Sequence, residues 1–174
     1  MAEKDWNRSL NKWIQHLGPY EISEKDFILK REEMSKKSEP WTDRDVIWSL
    51  FNDVVAKTDP SKLQGLYYLM SLFRNEEASD TIVVRRASAE SSFAEYKRMG
   101  VNEVEVLAAP DSCEACKHLE GRKFTLDQVL VAHPLPCLEC TRKLREKDEK
   151  PFCRCTYLPV IETGVRVAKL KLGQ

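Results

Sequence analysis

The cysteines constrain what this chain can fold into more than any other feature. All six lie between residues 113 and 155, and none lies in the first 112 residues. They form two Cys-x-x-Cys pairs, at 113/116 and 137/140, and one Cys-x-Cys pair at 153/155. A Cys-x-x-Cys turn directs two sulfurs toward one point, and two such pairs supply the four thiolates of a structural zinc site. The sequence therefore predicts a structural site of the four-cysteine type that binds Zn²⁺.

The chain has more cysteines than one tetrahedral zinc ion needs. Either one pair is not used for ligation, or two metal ions are bound. The two side chains of a Cys-x-Cys pair point to the same face of a strand, so one or both can reach a metal. His133 is a further candidate, although a histidine at a helix end is more often a cap or a surface residue. In order of preference, we expect the ligands to be Cys113, Cys116, Cys140, Cys153, Cys155 and Cys137.

The same region contains the residue types of a zinc-dependent deaminase or hydrolase. Those deaminases combine a His-x-Glu with a Pro-Cys-x-x-Cys, which here correspond to His118 and Glu120 and to Cys137 and Cys140. Only fifteen residues separate Glu120 from Pro136. A helix, a strand and two turns do not fit easily into that interval. We therefore expect a protein that is not an enzyme, with zinc catalysis as the alternative.

Hydrophobic periodicity divides the chain near Gly100. Residues 42–57, for example, place apolar side chains at helical spacing after a candidate N-cap at Thr42. Residues 101–109 instead alternate apolar and acidic side chains, which predicts a strand with one exposed face. Helices are predicted at 5–17, 23–39, 42–57, 61–78, 80–100 and 125–133, and strands at 101–109, 152–161 and 165–172.

These patterns predict an α+β protein. A helical bundle is expected over 1–100, followed by a small zinc-stabilised, β-rich module over 101–174. A dense cysteine cluster in a reducing compartment favours metal binding over disulfides. The chain also shows no signal peptide and no stretch of about 18 apolar residues. We therefore expect a soluble, cytoplasmic protein without a membrane partner.

Charge and composition leave a binding role as the expected function. The 28 basic and 28 acidic residues give a net charge of zero, so bulk charge does not favour nucleic acid. A zinc module fused to helices is instead expected to dock on a protein or a nucleic acid through local contacts. Acidic residues are interleaved with the basic ones near position 145, which is also typical of a solvated loop. The candidate contact residues are Arg142, Lys143, Arg145, Lys147 and Lys150.

The stretch "SCEACKHLEGRKFTL…FCRCTYLPV" resembles the C-terminal module of the phage Mu F-like head morphogenesis (minor capsid) proteins. The resemblance covers about 50 of the 174 residues. It departs from the family where "KPF" replaces the His-Pro before "CRC", and where "CLECTRKLREKDEK" is inserted. A variant with "PLPxxxCT" before "FCRC" is similar to uncharacterised prokaryotic proteins, and Cys140 is its matching cysteine. The matched positions are Cys113, Cys116, Gly121, Phe124, Pro134 or Pro136, Cys153, Arg154, Cys155 and Thr156.

The resemblance implies a role in virion assembly or DNA packaging and a virion-associated protein. It implies no catalytic residue for this chain, and the helical half has no counterpart in that family. A minor head or assembly protein encoded by a phage or prophage is therefore the main alternative to an independent zinc-binding module.

Overall fold

The chain forms helices first and a small sheet afterwards, as expected for an α+β protein. The computed structural model describes residues 3–37, 39–77, 79–141 and 153–161. None of the helices in these ranges is both long enough and apolar enough to cross a membrane. The helices are α1 (Glu3–Leu17), α2 (Glu24–Ser35), α3 (Asp43–Lys57), α4 (Gln64–Glu76), α5 (Ile82–Arg98), α6 (Glu114–Lys117) and α7 (Leu126–Ala132). The strands are β1 (Glu103–Leu107), β2 (Lys123–Thr125) and β3 (Thr156–Pro159).

Capping boxes start the helices α2 and α3. The backbone N–H of Ser23 donates to the Asp26 carboxylate at 2.8 Å, and that of Thr42 donates to Asp45 at 2.7 Å. The two hydroxyls accept hydrogen bonds from the backbone N–H groups of the same aspartates. Each box satisfies backbone donors that have no partner inside the helix. The predicted N-cap at Thr42 is confirmed.

The first hydrophobic core lies among α1 to α4. Its aromatic rings pack around Phe73, with ring centroids 4.9 Å from Trp13, 5.5 Å from Trp48 and 5.8 Å from Phe51. The predicted apolar stripe of α3 is buried here in full. The buried members are Trp13, Leu17, Phe27, Met34, Val46, Ile47, Leu50, Phe51, Val54, Leu63, Leu66, Met70 and Phe73.

The sheet is antiparallel, with the strand order β2-β1-β3. In the central strand, Val104 and Val106 are buried, whereas Glu103 and Leu107 are exposed. The predicted alternation is therefore confirmed over Glu103–Leu107, and the strand is shorter than the predicted 101–109. The strand predicted over 152–161 is shorter, and Cys153 and Cys155 precede it. The strand predicted at 165–172 lies outside the described residues.

Helix α5 contributes to both cores. Val84, near its start, packs against the first core, and Phe93 is buried in the second core, which surrounds the cysteines. Gly100 ends this segment at a φ of +79°, a conformation that glycine adopts without steric cost. The change from helices to sheet therefore occurs near Gly100 as predicted along the chain, but α5, the helix before it, packs on the sheet as well as on the other helices.

Candidate metal centre

Three segments of the chain bring the cysteines together. Cys113 is the N-cap residue of α6, and Cys116 lies one turn later in that helix. Cys137 and Cys140 are joined by a turn in which the N–H of Cys140 donates to the carbonyl of Cys137 at 3.1 Å. Cys153 and Cys155 directly precede β3. Each Cys-x-x-Cys pair therefore forms a compact turn, as the spacing predicts.

The sulfur atoms lie at the spacing of a metal site. The Sγ atom of Cys116 is 3.6 Å from that of Cys137 and 3.6 Å from that of Cys153, and Cys113 is 3.7 Å from Cys140. Four sulfurs at about 2.3 Å from one zinc ion are separated by about 3.8 Å at the edges of a tetrahedron. A disulfide would bring two sulfurs to about 2.05 Å, and all six cysteines are free. The donor type and the spacing both fit zinc.

Two overlapping triads within this cluster have metal-binding geometry. The first contains Cys113, Cys116 and Cys140, and the second contains Cys116, Cys153 and Cys155. Within each triad the sulfurs all lie within 4.8 Å of one another. Cys137 joins the cluster through its contact with Cys116. The structure thus brings together all six cysteines that the sequence nominated.

Burial distinguishes these thiols from surface cysteines. Cys116, Cys140, Cys153 and Cys155 are buried, and Cys113 and Cys137 are half-buried. Buried thiols lose the hydration that stabilises a thiolate, so a metal ion is an effective way of retaining the negative charge.

The thiols without metal have different proton affinities. Burial raises the pKa of Cys116, whereas hydrogen bonding to Cys140 and Cys155 raises the pKa of Cys153. The pKa of Cys155 is lowered, first because the Cys153 thiol donates to its sulfur. The backbone N–H of Ala109 donates to the same sulfur at 3.4 Å. Cys155 is therefore the preferred thiolate, and metal binding has to displace protons from its neighbours.

Arg85 connects α5 to the cluster. Its guanidinium donates to the carbonyl oxygens of Cys153 and Cys155, the latter at 3.3 Å. These bonds tie the segment just before β3 to α5. They also place a positive charge beside the cysteine cluster. Burial lowers the pKa of Arg85.

Tyr157 holds the segment before Cys137 against the sheet. Its hydroxyl accepts a hydrogen bond from the N–H of Leu135 at 2.6 Å and donates to the carbonyl of Leu135 at 3.3 Å. Its ring packs edge to face on Phe93, with 5.1 Å between the centroids. Burial raises the pKa of Tyr157. Sequence analysis did not identify Tyr157 or Arg85, because their roles depend on contacts between distant segments.

Of the alternative catalytic site, Cys137 and Cys140 belong to the sulfur cluster, but His118 and Glu120 do not join them. His118 is exposed at the end of α6, and the Glu120 carboxylate accepts a hydrogen bond from the N–H of Ala108. His133 ends α7 in a left-handed conformation, with its Nε2 atom 3.7 Å from the Glu90 carboxylate. In the described ranges, the clusters with metal-binding geometry consist of cysteines alone.

The basic residues proposed as contacts, from Arg142 to Lys150, lie outside the described residues. Their role stays a prediction.

Comparison with protein-family models, with curated proteins and with solved structures finds no match for this chain. The resemblance to the phage Mu F-like proteins therefore rests on the matched residues alone. Besides the matched cysteines of the cluster, Gly121 adopts a φ of +70° and Phe124 pairs with Val104 in the sheet.

Proposed function

We propose that this chain is a non-enzymatic zinc-binding protein whose thiolate site is structural. The observation that carries the proposal is the convergence of six free cysteines: five sulfurs make contacts of 3.6–3.7 Å, and the sulfur of Cys155 lies within 4.8 Å of Cys116 and Cys153. Soft thiolate ligands select zinc over hard cations such as Mg²⁺ or Ca²⁺. A set of four thiolates also leaves no open coordination position for a substrate.

The structural role follows from what the cysteines connect. They link α6, the turn at 137–140 and the segment before β3 through contacts between their sulfur atoms. The sheet is small, with three residues in β2 and four in β3. Because ligation free energy becomes folding free energy, zinc would supply the stability that such a module lacks.

The biological role in this proposal is docking on a protein or nucleic-acid partner. The positively charged residues between 142 and 150 are the proposed contacts, and the helices α1 to α4 form a separate core beside the module. A role in virion assembly is the alternative that the family resemblance implies. Neighbouring genes for a portal protein or a terminase would support that alternative, and a neighbourhood without phage genes would count against it.

Metal removal tests the structural role. The protein, purified under reducing conditions, is expected to retain zinc in at least stoichiometric amount. A chelator should then remove the hydrogen-exchange protection of β1 and α7 while α3 keeps its protection. Absence of zinc, or unchanged protection in β1 after zinc removal, would overturn the proposal.

Two matched variants distinguish a site of cysteine ligands from a site that includes His118. Cys116→Ser removes a buried sulfur from both triads and should lower zinc content. His118→Ala changes an exposed neighbour and should leave zinc content unchanged. If His118→Ala lowers zinc content as much as Cys116→Ser, the catalytic alternative replaces the structural one.

A further inference from the structure

The number of sulfurs in the cluster exceeds what one zinc ion can use. A single tetrahedral ion takes four thiolates and would leave two of the six cysteines as unligated thiols. The two triads with metal-binding geometry, however, overlap at Cys116 rather than forming separate groups. A sulfur that belongs to two metal-binding sets is in the position of a bridging thiolate.

Two cysteines, Cys116 and Cys140, each contact one member of the pair Cys113 and Cys137 and one member of the pair Cys153 and Cys155. Cys116 lies 3.6 Å from Cys137 on one side and 3.6 Å from Cys153 on the other. Cys140 lies 3.7 Å from Cys113 and also hydrogen-bonds with Cys153. The sulfurs of Cys116 and Cys140 are within 4.8 Å of each other.

We propose that the cluster binds two zinc ions that share Cys116 and Cys140 as bridging thiolates. The proposal rests on the proposed zinc-binding function and specifies its stoichiometry. Two tetrahedral ions have eight coordination positions, which four terminal thiolates and two bridging thiolates fill completely. The terminal ligands are Cys113 and Cys137 for the first ion, and Cys153 and Cys155 for the second ion.

The surroundings of the sulfurs suit the charge of this cluster. Two Zn²⁺ ions with six thiolates carry a net charge of −2. Arg85 donates to the carbonyls of Cys153 and Cys155, which places its positive charge next to the second ion. The N–H of Ala109 donates to the sulfur of Cys155. These groups lie beside the pair of cysteines that would be unnecessary if only the two Cys-x-x-Cys turns bound metal.

The two ions would have different structural tasks. The first ion joins α6 to the turn at 137–140, and the second ion joins both of these to the start of β3. Cys155→Ser should therefore remove the second ion and leave the first ion in place. Cys137→Ser should remove the first ion and leave the second ion in place, because Cys137 is a terminal ligand of the first ion only.

Native mass spectrometry of the zinc-loaded protein, after dialysis against a weak chelator to remove surface metal, counts the ions directly. We expect two zinc ions per chain, and one in Cys155→Ser. One ion in the unmodified protein would overturn the two-ion proposal and leave the zinc-binding function standing. No bound zinc would overturn both.

Nuclear magnetic resonance of the protein loaded with ¹¹³Cd²⁺ tests the bridges. Two cadmium resonances that are mutually coupled through shared sulfurs are expected. Two uncoupled resonances would show two separate sites and would overturn the bridging role of Cys116 and Cys140. This measurement needs no variant, so it stays decisive even where Cys116→Ser fails to fold.

Discussion

Phe93 is the buried side chain that α5 contributes to the core around the cysteines. It is 3 % exposed and packs edge to face on Tyr157, at 5.1 Å between ring centroids. Truncating a buried phenylalanine to alanine costs about 3–5 kcal/mol, because apolar contacts are lost and a cavity is left. If the module folds only with metal bound, part of the free energy of zinc binding is used to fold it, so a loss of folding stability weakens the apparent zinc affinity by the same free energy. Since 1.4 kcal/mol corresponds to a tenfold change, Phe93→Ala should weaken zinc binding by at least about 100-fold.

A competition titration against a chromophoric chelator measures this affinity. Phe51→Ala is the matched control, because Phe51 is fully buried in the first core, on α3. It should destabilise the helices by a similar amount and leave zinc affinity unchanged. Phe93→Leu keeps most of the apolar volume and should give a smaller loss in the same direction. The reasoning is refuted if Phe93→Ala lowers stability without lowering zinc affinity, or if Phe51→Ala weakens zinc binding equally.

Three further perturbations act on the same module. Thr125→Ala removes the hydroxyl that caps α7. In a denaturant titration of the zinc-loaded protein, it should lower the free energy of unfolding by about 1 kcal/mol. An unchanged unfolding midpoint would contradict a stabilising role of this cap. Gly121→Ala places a side chain in open space at a φ of +70°, so backbone strain alone should lower the free energy of unfolding by about 1 kcal/mol in the same assay. Gly121→Asn should lower it less, because asparagine adopts positive φ more readily. Equal losses of stability in the two variants would contradict backbone strain as the cause. Zinc affinity should fall as pH falls. Burial raises the pKa of the Cys116 thiol, so zinc has to displace a proton that binds more tightly there than in an exposed cysteine. An affinity that does not change between alkaline and acidic pH would contradict this linkage.

Sequence patterns predicted the elements that local chemistry determines. The helix predicted at 125–133 is α7, and a capping box of Thr125 and Gln128 begins it, with the N–H of Thr125 donating to Gln128 at 2.9 Å. The alternation of Val104 and Val106 with the acidic Glu103 and Glu105 predicted β1 in the same way. In both places the signal lies within a few consecutive residues, so no distant contact is needed to recognise it.

The short elements and the supporting contacts carry no such local signal. Helix α6 has four residues and β2 has three, which is too few for a hydrophobic period to appear. Arg85 reaches the carbonyl of Cys153 across 68 positions in the sequence. The order of preference among the cysteines stays a prediction, because the sulfur of Cys137 is as near to Cys116 as that of Cys153 but belongs to neither triad. Spacing along the chain predicts a metal centre, but the folded arrangement determines which sulfurs face each other.

X-ray absorption at the zinc edge of the purified 174-residue protein examines the first coordination shell directly. We predict a shell of sulfur atoms alone, four per zinc ion at about 2.3 Å. A shell that contains a nitrogen or oxygen atom besides sulfur would contradict a closed thiolate site. It would instead support the catalytic alternative, with His118 and Glu120 as the first residues to substitute.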